Sequence, residues 1–372
     1  MSDAVESPVL FSELDSTNGK KIGLATLNMP KTLNSLSLEM CELLTERFTA
    51  WQADDAIAAV FLDASGEKAF CAGGDVQQLY KSAVENPGGP CSYAETFFEV
   101  EYALDYLIHT YSKPIVCWGH GIVMGGGLGL ICGASHKVVT EKSRVAMPEI
   151  TIALYPDVGG TYFLNRMPGK TGLFIALTGA SINAADMLYT GIAGHFSAQE
   201  NKQNILDALS AVNWQGELAA DSTAIDALFT EECPLESKLE EHRSLIDELC
   251  QGDSLSGIVD RIVSLDSDDS WLSKARDTLA AGSPVAANTI WQQHLKGTEL
   301  SLAEIFQYEL VLSTNVVRHP EFAEGVRALL IDKDRNPKWA YDSVDAVPAS
   351  LMEQFQTPPW NTNPLAGLGN AG

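Results

Sequence analysis

The sequence predicts an α/β protein followed by an enlarged helical C-terminal region. Two observations carry this prediction: short apolar, strand-like runs alternate with helical patterns in the first half of the chain, and leucine-rich helical patterns dominate the second half. With 372 residues, of which 45% are hydrophobic and 20% charged, the chain can bury a sizeable core in one large domain or two.

The first strand–helix–strand unit lies near the N-terminus. Ile22–Leu27 and Ala58–Leu62 are short β-like runs. The segment between them, Ser37–Trp51, has apolar residues at helical spacing, and Ser37 is a suitable N-cap. This order of elements is typical of α/β proteins.

The alternation continues toward residue 145. Phe97–Ile108 has helical spacing, and Pro114–Trp118 is a compact apolar strand. A glycine run follows this strand and leads into Leu128–Cys132, the expected start of a helix, and Val138–Val139 is another short strand.

The second half of the chain has a different character. Leu235–Leu249 and Leu272–Ala281 are helical stretches whose surrounding positions are rich in Asp and Glu. We interpret these acidic runs as solvated helix faces. From Pro358 onward, Pro, Asn and Gly residues predict a loose tail.

Charge and cysteine usage restrict the class of protein. A formal net charge of −25 argues against binding to nucleic acid or to an anionic membrane surface. The seven scattered cysteines include no CxxC pair, which indicates reduced thiols. The acidic N-terminus resembles neither a secretory signal nor a transit peptide, and no apolar run approaches the roughly 20 residues that span a bilayer. We therefore expect a cytoplasmic protein.

Several familiar motifs fail on inspection. Gly169-Lys170-Thr171 is not a phosphate-binding loop, because Leu164 stands where that motif needs glycine. The run from Gly125 to Gly129 gives no GxGxxG register, and the chain has no GxSxG sequence. The histidines show no metal-binding spacing, so we expect no metal site and no bound cofactor.

Two glycine-rich loops remain as candidates for chemistry. The first is Cys71-Ala72-Gly73-Gly74-Asp75, and the second is Gly125-Gly126-Gly127 at the start of an expected helix. Glycine lets the backbone approach a ligand closely, and a helix N-terminus presents unpaired amides with a partial positive charge. One amide from each loop could stabilise an oxyanion. Either loop alone is also explained by a tight turn and close packing.

Two carboxylates follow in the next segment. Glu149 lies in the otherwise apolar run Ala146–Ile150, where burial would raise its pKa. Asp157 lies in the Pro-Asp-Val-Gly-Gly turn, where a local hydrogen-bonding role is the alternative. Together they could activate water and orient a substrate hydroxyl.

In their order and spacing, these three segments resemble the crotonase (enoyl-CoA hydratase/isomerase) superfamily. The resemblance implies a spiral of ββα units, a coenzyme A thioester as substrate, and an oxyanion hole made by the amides of Gly74 and Gly126. It also implies that the backbone at Ala72 and Gly73 contacts coenzyme A. We accordingly expect a single catalytic domain over residues 10–355, with the spiral core in 10–200, a mainly helical region in 201–355 and a loose tail in 356–372.

One departure from the family pattern indicates the subclass. Hydratases of the family use two glutamates: the second corresponds to Glu149, but Gly129 occupies the position of the first. Met147-Pro148-Glu149 with the Asp157 turn, the segment Glu99–Tyr102 and the late run Glu324–Asp334 instead resemble the 3-hydroxyisobutyryl-CoA hydrolase branch. The resemblance therefore implies thioester hydrolysis of a short 3-hydroxyacyl-CoA, as in valine degradation. A divergent hydratase or isomerase and a non-catalytic or RNA-binding relative are the alternatives.

The resemblance also implies roles for individual residues. Glu149 would act as nucleophile or general base, and Asp157 and Glu101 would bind the substrate's 3-hydroxyl or position water. Coenzyme A would be part of the substrate, held by a local cluster of Lys or Arg. The family pattern implies a homo-oligomer, a trimer or hexamer, although the enlarged C-terminal half of this chain departs from that pattern.

Overall fold

A computed structural model describes residues 7–369. The prediction that the N-terminus carries no leader peptide rests on the first seven residues, and residues 1–6 lie outside the described part of the chain. The strands are β1 (Val9–Asp15), β2 (Lys21–Leu27), β3 (Ile57–Ala64), β4 (Ala69–Cys71), β5 (Ile115–Gly119), β6 (Ile122–Met124), β7 (His136–Val139), β8 (Arg144–Ala146) and β9 (His195–Phe196).

The helices alternate with the strands up to β9 and follow one another after it. Those before β9 are α1 (Leu38–Ala53), α2 (Val76–Glu85), α3 (Ser92–His109), α4 (Gly126–Gly133), α5 (Gly160–Phe163), α6 (Thr171–Thr178) and α7 (Ala184–Tyr189). Those after it are α8 (Lys202–Ala211), α9 (Leu218–Asp226), α10 (Lys238–Glu241), α11 (Arg243–Leu249), α12 (Leu255–Val263), α13 (Ser270–Ala281), α14 (Pro284–Lys296), α15 (Leu302–Arg318), α16 (Pro320–Val326) and α17 (Ala349–Phe355).

The strands form two sheets. The larger has the order β1-β2-β3-β5-β7-β9, in which β1 and β2 are antiparallel and the later pairs are parallel. The smaller has the order β4-β6-β8, with β4 and β6 parallel. Parallel neighbours need crossover connections, and the helices between successive strands provide them.

The chain forms two compact units. The first comprises the residues up to Gly74, Leu107–Val145 and Asn183–Ser237, and it carries the strands except for Ala146 at the end of β8. The second comprises Asp75–Tyr106, Ala146–Ile182 and the residues from Lys238 onward, and it is helical.

The core of the first unit lies on the larger sheet. Ile22, Phe61 and Trp118 from its strands are buried in one cluster with Leu209 of α8 and Ile225 of α9. Burying a side chain of this size contributes about 1.5–3 kcal/mol to stability.

Glycine is required where α1 approaches β2. A Cβ atom at Gly23 would lie 2.7 Å from the ring of Trp51, so a larger residue there would force α1 away from the sheet.

The second unit is built around α3 and α15. The ring of Tyr102 lies 5.8 Å from that of Phe98 and 6.2 Å from that of Phe306, which joins the two helices. Helix α16 approaches the backbone closely, because a Cβ atom at Gly325 would lie 2.6 Å from Cα of Ile152. This contact fixes the short 3₁₀ helix Glu149–Ile152, which begins with a candidate catalytic residue.

The α/β prediction is confirmed, and so is the N-cap at Ser37, whose side chain accepts a hydrogen bond from the Met40 amide. The expectation of one helical stretch over Leu235–Leu249 is wrong: helices α10 and α11 are separate, and residues 235–237 precede both. Helix α4 begins at Gly126, two residues before the predicted start. The predicted domain limits stay predictions.

The seven cysteines all lie within the described residues and form no disulfide there. Within residues 7–369, no helix combines the length and the apolar character that crossing a membrane requires.

Candidate active site

The first glycine loop follows β4, and its residues up to Gly74 belong to the first unit. Gly73 has φ of +103°, a conformation that favours glycine. The Ala72 amide donates to the Leu33 carbonyl (3.0 Å), and the Leu36 amide donates to the Gly73 carbonyl (2.8 Å). Leu36 and Gly74 form a parallel bridge, whose hydrogen bonds run to the residues on either side of Gly74. The Gly74 amide is therefore directed away from Leu36.

Asn34 supports this loop, and sequence analysis missed it. Its buried side chain accepts from the Met29 amide (2.8 Å) and donates to the carbonyls of Ser65 and Ala69 (both 3.0 Å). Leu33 and Asn34 both have positive φ, and asparagine tolerates that region better than most residues. The available signal was an Asn between two apolar residues, Leu33 and Leu36.

The second glycine loop lies between β6 and α4. Gly125 is the N-cap of α4 with φ of +47°, and Gly126 is the first helical residue. The Gly126 amide therefore has no acceptor inside its own helix and carries the partial positive charge of the helix start.

The two loops contact each other. A Cβ atom at Gly127 would lie 2.5 Å from the Cys71 carbonyl oxygen, and one at Gly73 would lie 3.5 Å from the Met124 carbonyl oxygen. Larger residues at Gly127 would separate α4 from β4. The predicted association of the two loops is thus present within the first unit.

In the second unit, Glu149 begins the 3₁₀ helix after Pro148. The side chain is buried, and Oε2 has no hydrogen-bond partner among the described residues. Burial, followed by the charge of Asp157, raises the pKa of Glu149 well above its usual value. The predicted buried carboxylate with a raised pKa is therefore present.

The Asp157 carboxylate accepts a hydrogen bond from a tyrosine hydroxyl outside its own turn. The Tyr102 hydroxyl donates to Asp157 Oδ2 over 2.6 Å. The same hydroxyl lies 2.6 Å from Ser313 Oγ, which lies 2.7 Å from the Tyr155 hydroxyl. Burial raises the pKa of Asp157 to about 6, while the hydrogen bond from Tyr102 opposes that rise. Tyr102 thus favours the ionised carboxylate.

The turn that carries Asp157 is strained and braced. Val158 has φ of +51°, a rare conformation for a β-branched residue. The Glu309 carboxylate accepts hydrogen bonds from the amides of Gly159 (2.7 Å) and Thr161 (2.9 Å). Gln293 donates to the Pro156 carbonyl and to Thr161 Oγ1. Helices α14 and α15 therefore hold the turn from outside it.

Glu101 and Asp105 lie one turn apart on α3, and both are buried. Oε1 of Glu101 and both oxygens of Asp105 have no hydrogen-bond partner in the described part of the chain. Burial, followed by the charge of Asp157, raises the pKa of both carboxyls well above the usual range. The charges of Asp105 and Glu149 also raise the pKa of Glu101. The charge of Glu309 also raises the pKa of Asp105. The second unit thus brings together the three predicted carboxylates, Glu101, Glu149 and Asp157.

Sequence analysis missed Asp105 and Glu309. The signal for both was a carboxylate on an apolar helical stripe: Asp105 follows Phe97 and Glu101 at four-residue spacing, and Glu309 follows Ile305 in the same way. Burial raises the pKa of Glu309 to about 8, and its hydrogen bonds from Thr161 and Gly159 oppose that shift.

Comparison with known proteins identifies the family to which this chain belongs. The family model described as enoyl-CoA hydratase/isomerase matches residues 22–356. The 3-hydroxyisobutyryl-CoA hydrolase, mitochondrial, of Danio rerio is 38% identical over 95% of this chain and 90% of its own length. The chain therefore belongs to the crotonase, or enoyl-CoA hydratase/isomerase, family.

Two solved structures share the whole architecture. A carnitinyl-CoA dehydratase from Mycobacterium thermoresistibile is 35% identical with a TM-score of 0.83, covering 95% of this chain and 97% of that one. An enoyl-CoA hydratase from Rhodobacter sphaeroides is 30% identical with a TM-score of 0.82, covering 95% and 98%. The predicted crotonase fold, with its enlarged helical C-terminal region, is confirmed.

Proposed function

We propose that this protein hydrolyses short 3-hydroxyacyl-CoA thioesters, with 3-hydroxyisobutyryl-CoA as the main substrate, giving 3-hydroxyisobutyrate and coenzyme A. The observation that carries the proposal is a buried pair, Glu149 and Asp157, in a chain that has Gly129 where a hydratase needs its first glutamate. The hydrolase from Danio rerio supports the choice of substrate. Such a reaction is a step of valine degradation.

In the proposed reaction, the amides of Gly74 and Gly126 stabilise the negative charge that develops on the thioester oxygen. Either the Glu149 carboxylate attacks the carbonyl carbon, expels the coenzyme A thiolate and forms a mixed anhydride that water hydrolyses, or Glu149 takes a proton from water, whose oxygen attacks the same carbon. Both routes consume one water and release one thiol and one acid.

Both routes require ionised Glu149, and burial works against ionisation. A carboxylate with a raised pKa is, once ionised, a stronger base or nucleophile than an ordinary one. The raised pKa of Glu149 therefore suits the proposed role.

Asp157 is proposed to accept a hydrogen bond from the 3-hydroxyl of the substrate, or to position the attacking water. Its pKa of about 6 leaves it ionised at neutral pH, so it can accept such a bond. Glu101 is proposed to line the acyl pocket and to bind the same hydroxyl. The backbone at Ala72 and Gly73, and Lys or Arg residues that stay unassigned, are proposed to bind coenzyme A.

The direct test measures thiol release from 3-hydroxyisobutyryl-CoA with a thiol reagent, using the purified protein. We expect multiple turnovers, with 3-hydroxypropionyl-CoA as a second substrate and isobutyryl-CoA, which lacks the hydroxyl, as a poor one. Absence of thiol release from all three compounds would refute the hydrolase assignment. Asp157→Asn should slow the hydroxylated substrates more than isobutyryl-CoA; equal slowing would refute hydroxyl recognition by Asp157.

A second candidate function is hydration or isomerisation of an enoyl-CoA. The two solved structures described above favour it, because they are named as a hydratase and a dehydratase at 30% and 35% identity. Gly129 argues against it, since this position supplies no side chain for acid/base chemistry. An absorbance assay on crotonyl-CoA distinguishes the two functions, and loss of the enoyl absorbance without thiol release would favour the hydratase.

The compartment and the assembly stay predictions. We propose a cytoplasmic location, although the Danio rerio relative is named mitochondrial. Size-exclusion chromatography with light scattering would distinguish a monomer from the trimer or hexamer that the family pattern implies.

A further inference from the structure

A second group of chemically active side chains lies at the edge of the larger sheet. His136 lies in β7, His195 lies in β9, the last strand of that sheet, and Asp226 is the last residue of α9. The Nε2 atoms of His136 and His195 lie 3.4 and 3.1 Å from Asp226 Oδ1. The two imidazole rings are stacked at an interplanar angle of 12°. Sequence analysis expected no metal site, because these three residues have no local spacing pattern.

These distances match a tetrahedral metal site. Ligand atoms about 2.0–2.1 Å from a Zn²⁺ ion at tetrahedral angles lie about 3.3 Å from one another. The three candidate ligand atoms lie within 4.8 Å of one another, and both nitrogen–oxygen distances are close to the tetrahedral value. Two imidazoles and one carboxylate are a common donor set for Zn²⁺ and related ions.

Ser135 orients the ring of His136 as a metal ligand requires. Ser135 Oγ accepts from the Ile115 amide (2.9 Å), donates to the Ile115 carbonyl (3.1 Å) and lies 2.9 Å from His136 Nδ1. With its own hydrogen directed at the Ile115 carbonyl, Ser135 Oγ can accept a hydrogen bond from Nδ1–H, and in that tautomer the lone pair lies on Nε2. A metal-bound histidine typically donates its other ring N–H to a partner of this kind.

That tautomer leaves His136 Nε2 facing oxygen acceptors. The Ser222 carbonyl oxygen lies 3.2 Å from Nε2, and Asp226 Oδ1 lies on the same side. The opposite tautomer, in which Nε2–H donates to these oxygens, satisfies them without a metal, and a divalent ion bound here would take the place of that proton. A bound divalent ion would satisfy all three groups.

The exposure of the three side chains suits metal binding. The His136 side chain is 3% exposed and the His195 side chain 16%, so both imidazoles are shielded from bulk solvent. The Asp226 side chain is 58% exposed, which leaves room for a water as fourth ligand and a path for the ion.

A second cluster provides an internal comparison. Glu241, His242 and Asp269 also have ligand atoms close together, but the Lys238 ammonium binds both Glu241 (2.8 Å) and Asp269 (3.3 Å). A cation supplied by the chain already occupies that position. The ion pairs of His136 and His195 in the described part of the chain involve Asp226 instead.

We propose that His136, His195 and Asp226 form a site for a divalent transition-metal ion of the Zn²⁺ class, with water as the fourth ligand. The ion would tie β9 and the end of α9 to β7 and stabilise the first unit. The proposal is independent of the proposed hydrolase activity, because it concerns different residues and a different readout.

The test adds Zn²⁺ or Co²⁺ to the chelator-treated full-length protein. We expect one Zn²⁺ per chain by calorimetry, a higher melting temperature with Zn²⁺, and the intense visible absorption of four-coordinate Co²⁺. His195→Gln and Asp226→Asn should each weaken Zn²⁺ binding at least tenfold while keeping the fold, since neither residue is fully buried. The matched control is His242→Gln in the second cluster, which should bind Zn²⁺ like the wild type.

Cys233 is half-buried whereas the other six cysteines are buried, and a thiolate also binds Zn²⁺, so binding should also be measured in Cys233→Ser. Unchanged binding in this variant supports the proposed site. Three results would overturn the proposal: no stoichiometric binding, equal binding by the Asp226→Asn variant and the wild type, or a thiolate-to-cobalt charge-transfer band that disappears in Cys233→Ser.

Discussion

The two units carry candidate functional groups of different kinds. The loops of the first unit offer backbone amides, whose directions depend on glycine conformation and on the start of α4. The second unit offers buried carboxylates, whose charge depends on burial and on a few hydroxyl and amide donors. Backbone amides do not titrate in the range where enzymes work, whereas these carboxylates have raised pKa values, that of Asp157 being about 6. The pH dependence of activity should therefore come from the carboxylates of the second unit. Substitutions that change backbone geometry should act through the glycine loops of the first unit.

The largest expected effect is that of Glu149→Gln. The variant keeps the shape of the side chain but removes the nucleophile or base, and such a group contributes about 10²–10⁴-fold to the rate. We expect kcat for 3-hydroxyisobutyryl-CoA to fall by at least that factor in the thiol-release assay. The melting temperature should stay the same or rise, because the variant removes a buried carboxylate whose Oε2 has no hydrogen-bond partner among the described residues.

Glu321→Gln is the matched control for Glu149→Gln. Glu321 is another buried glutamate of the second unit, but Ser283 and the Ala340 amide bind its carboxylate. This variant should keep nearly full kcat even if it is less stable. A Glu149→Gln protein with substantial activity would remove Glu149 from the centre of the reaction.

Gly126→Pro should have the second-largest effect, and it tests the proposed role of a backbone amide of the first unit. Proline is well tolerated at the first position of a helix, since the N–H it lacks makes no intrahelical bond there. The substitution should therefore delete one oxyanion donor with little loss of helix. We expect kcat to fall about 10²–10³-fold, or about 2.7–4 kcal/mol in transition-state stabilisation.

The pH profile of Gly126→Pro should match that of the wild type, because an amide does not titrate. A changed profile would mean that the substitution disturbed the carboxylates. Unchanged kcat in a folded Gly126→Pro protein would rule out the Gly126 amide as an oxyanion donor.

The local motifs of the candidate site can be predicted from the sequence, whereas the distant residues that support them cannot. The glycine loops and the Asp157 turn are local, since each lies within a few residues and its glycines mark the required geometry. Their supports are distant: Glu309 binds the Gly159 amide across 150 residues of chain, and Asn34 binds the Ala69 carbonyl across 35. No periodicity connects such pairs. The three-residue strands of the smaller sheet, β4, β6 and β8, are also too short for an alternating pattern to identify them.

Tyr102→Phe should have a smaller effect, directed at the charge of Asp157. Ionised Asp157 is the proposed active form, so its contribution to activity is present above its pKa of about 6 and is lost as the pH falls through that value. Removing the Tyr102 hydroxyl removes a hydrogen bond that lowers this pKa. We expect the acid limb of kcat/KM to move to higher pH, with about a tenfold loss at pH 6 and a smaller loss at pH 8.

Tyr155→Phe is the matched control for Tyr102→Phe. The Tyr155 hydroxyl donates to the Glu309 carbonyl (2.7 Å) and contacts Ser313, but it makes no hydrogen bond to Asp157. This variant should lose stability without moving the acid limb. If both variants shift the limb equally, the effect belongs to the packing of the hydroxyl network and not to the Tyr102–Asp157 bond.

Asp105→Asn should have the smallest effect on activity and a measurable effect on stability. Asp105 is fully buried, and neither oxygen has a partner among the described residues, so its raised pKa reflects the cost of burying a charge. Between the unfolded and folded pKa values, the folded state holds a proton that the unfolded state has released. Its contribution to stability therefore decreases as the pH rises, by up to about 1.4 kcal/mol per pH unit.

This prediction is best measured by thermal unfolding between pH 7 and 8.5. The histidines whose pKa is lowered, including His109 and His294 at about 4, reduce stability only below about pH 6.5, so they do not contribute in this window. The melting temperature of the wild type should fall across the window, and that of Asp105→Asn should fall less steeply while kcat changes less than about threefold. An equally steep fall would show that Asp105 does not titrate there. A folded but inactive Asp105→Asn protein would show that the carboxylate cluster of the second unit serves the reaction beyond Glu149, Asp157 and Glu101.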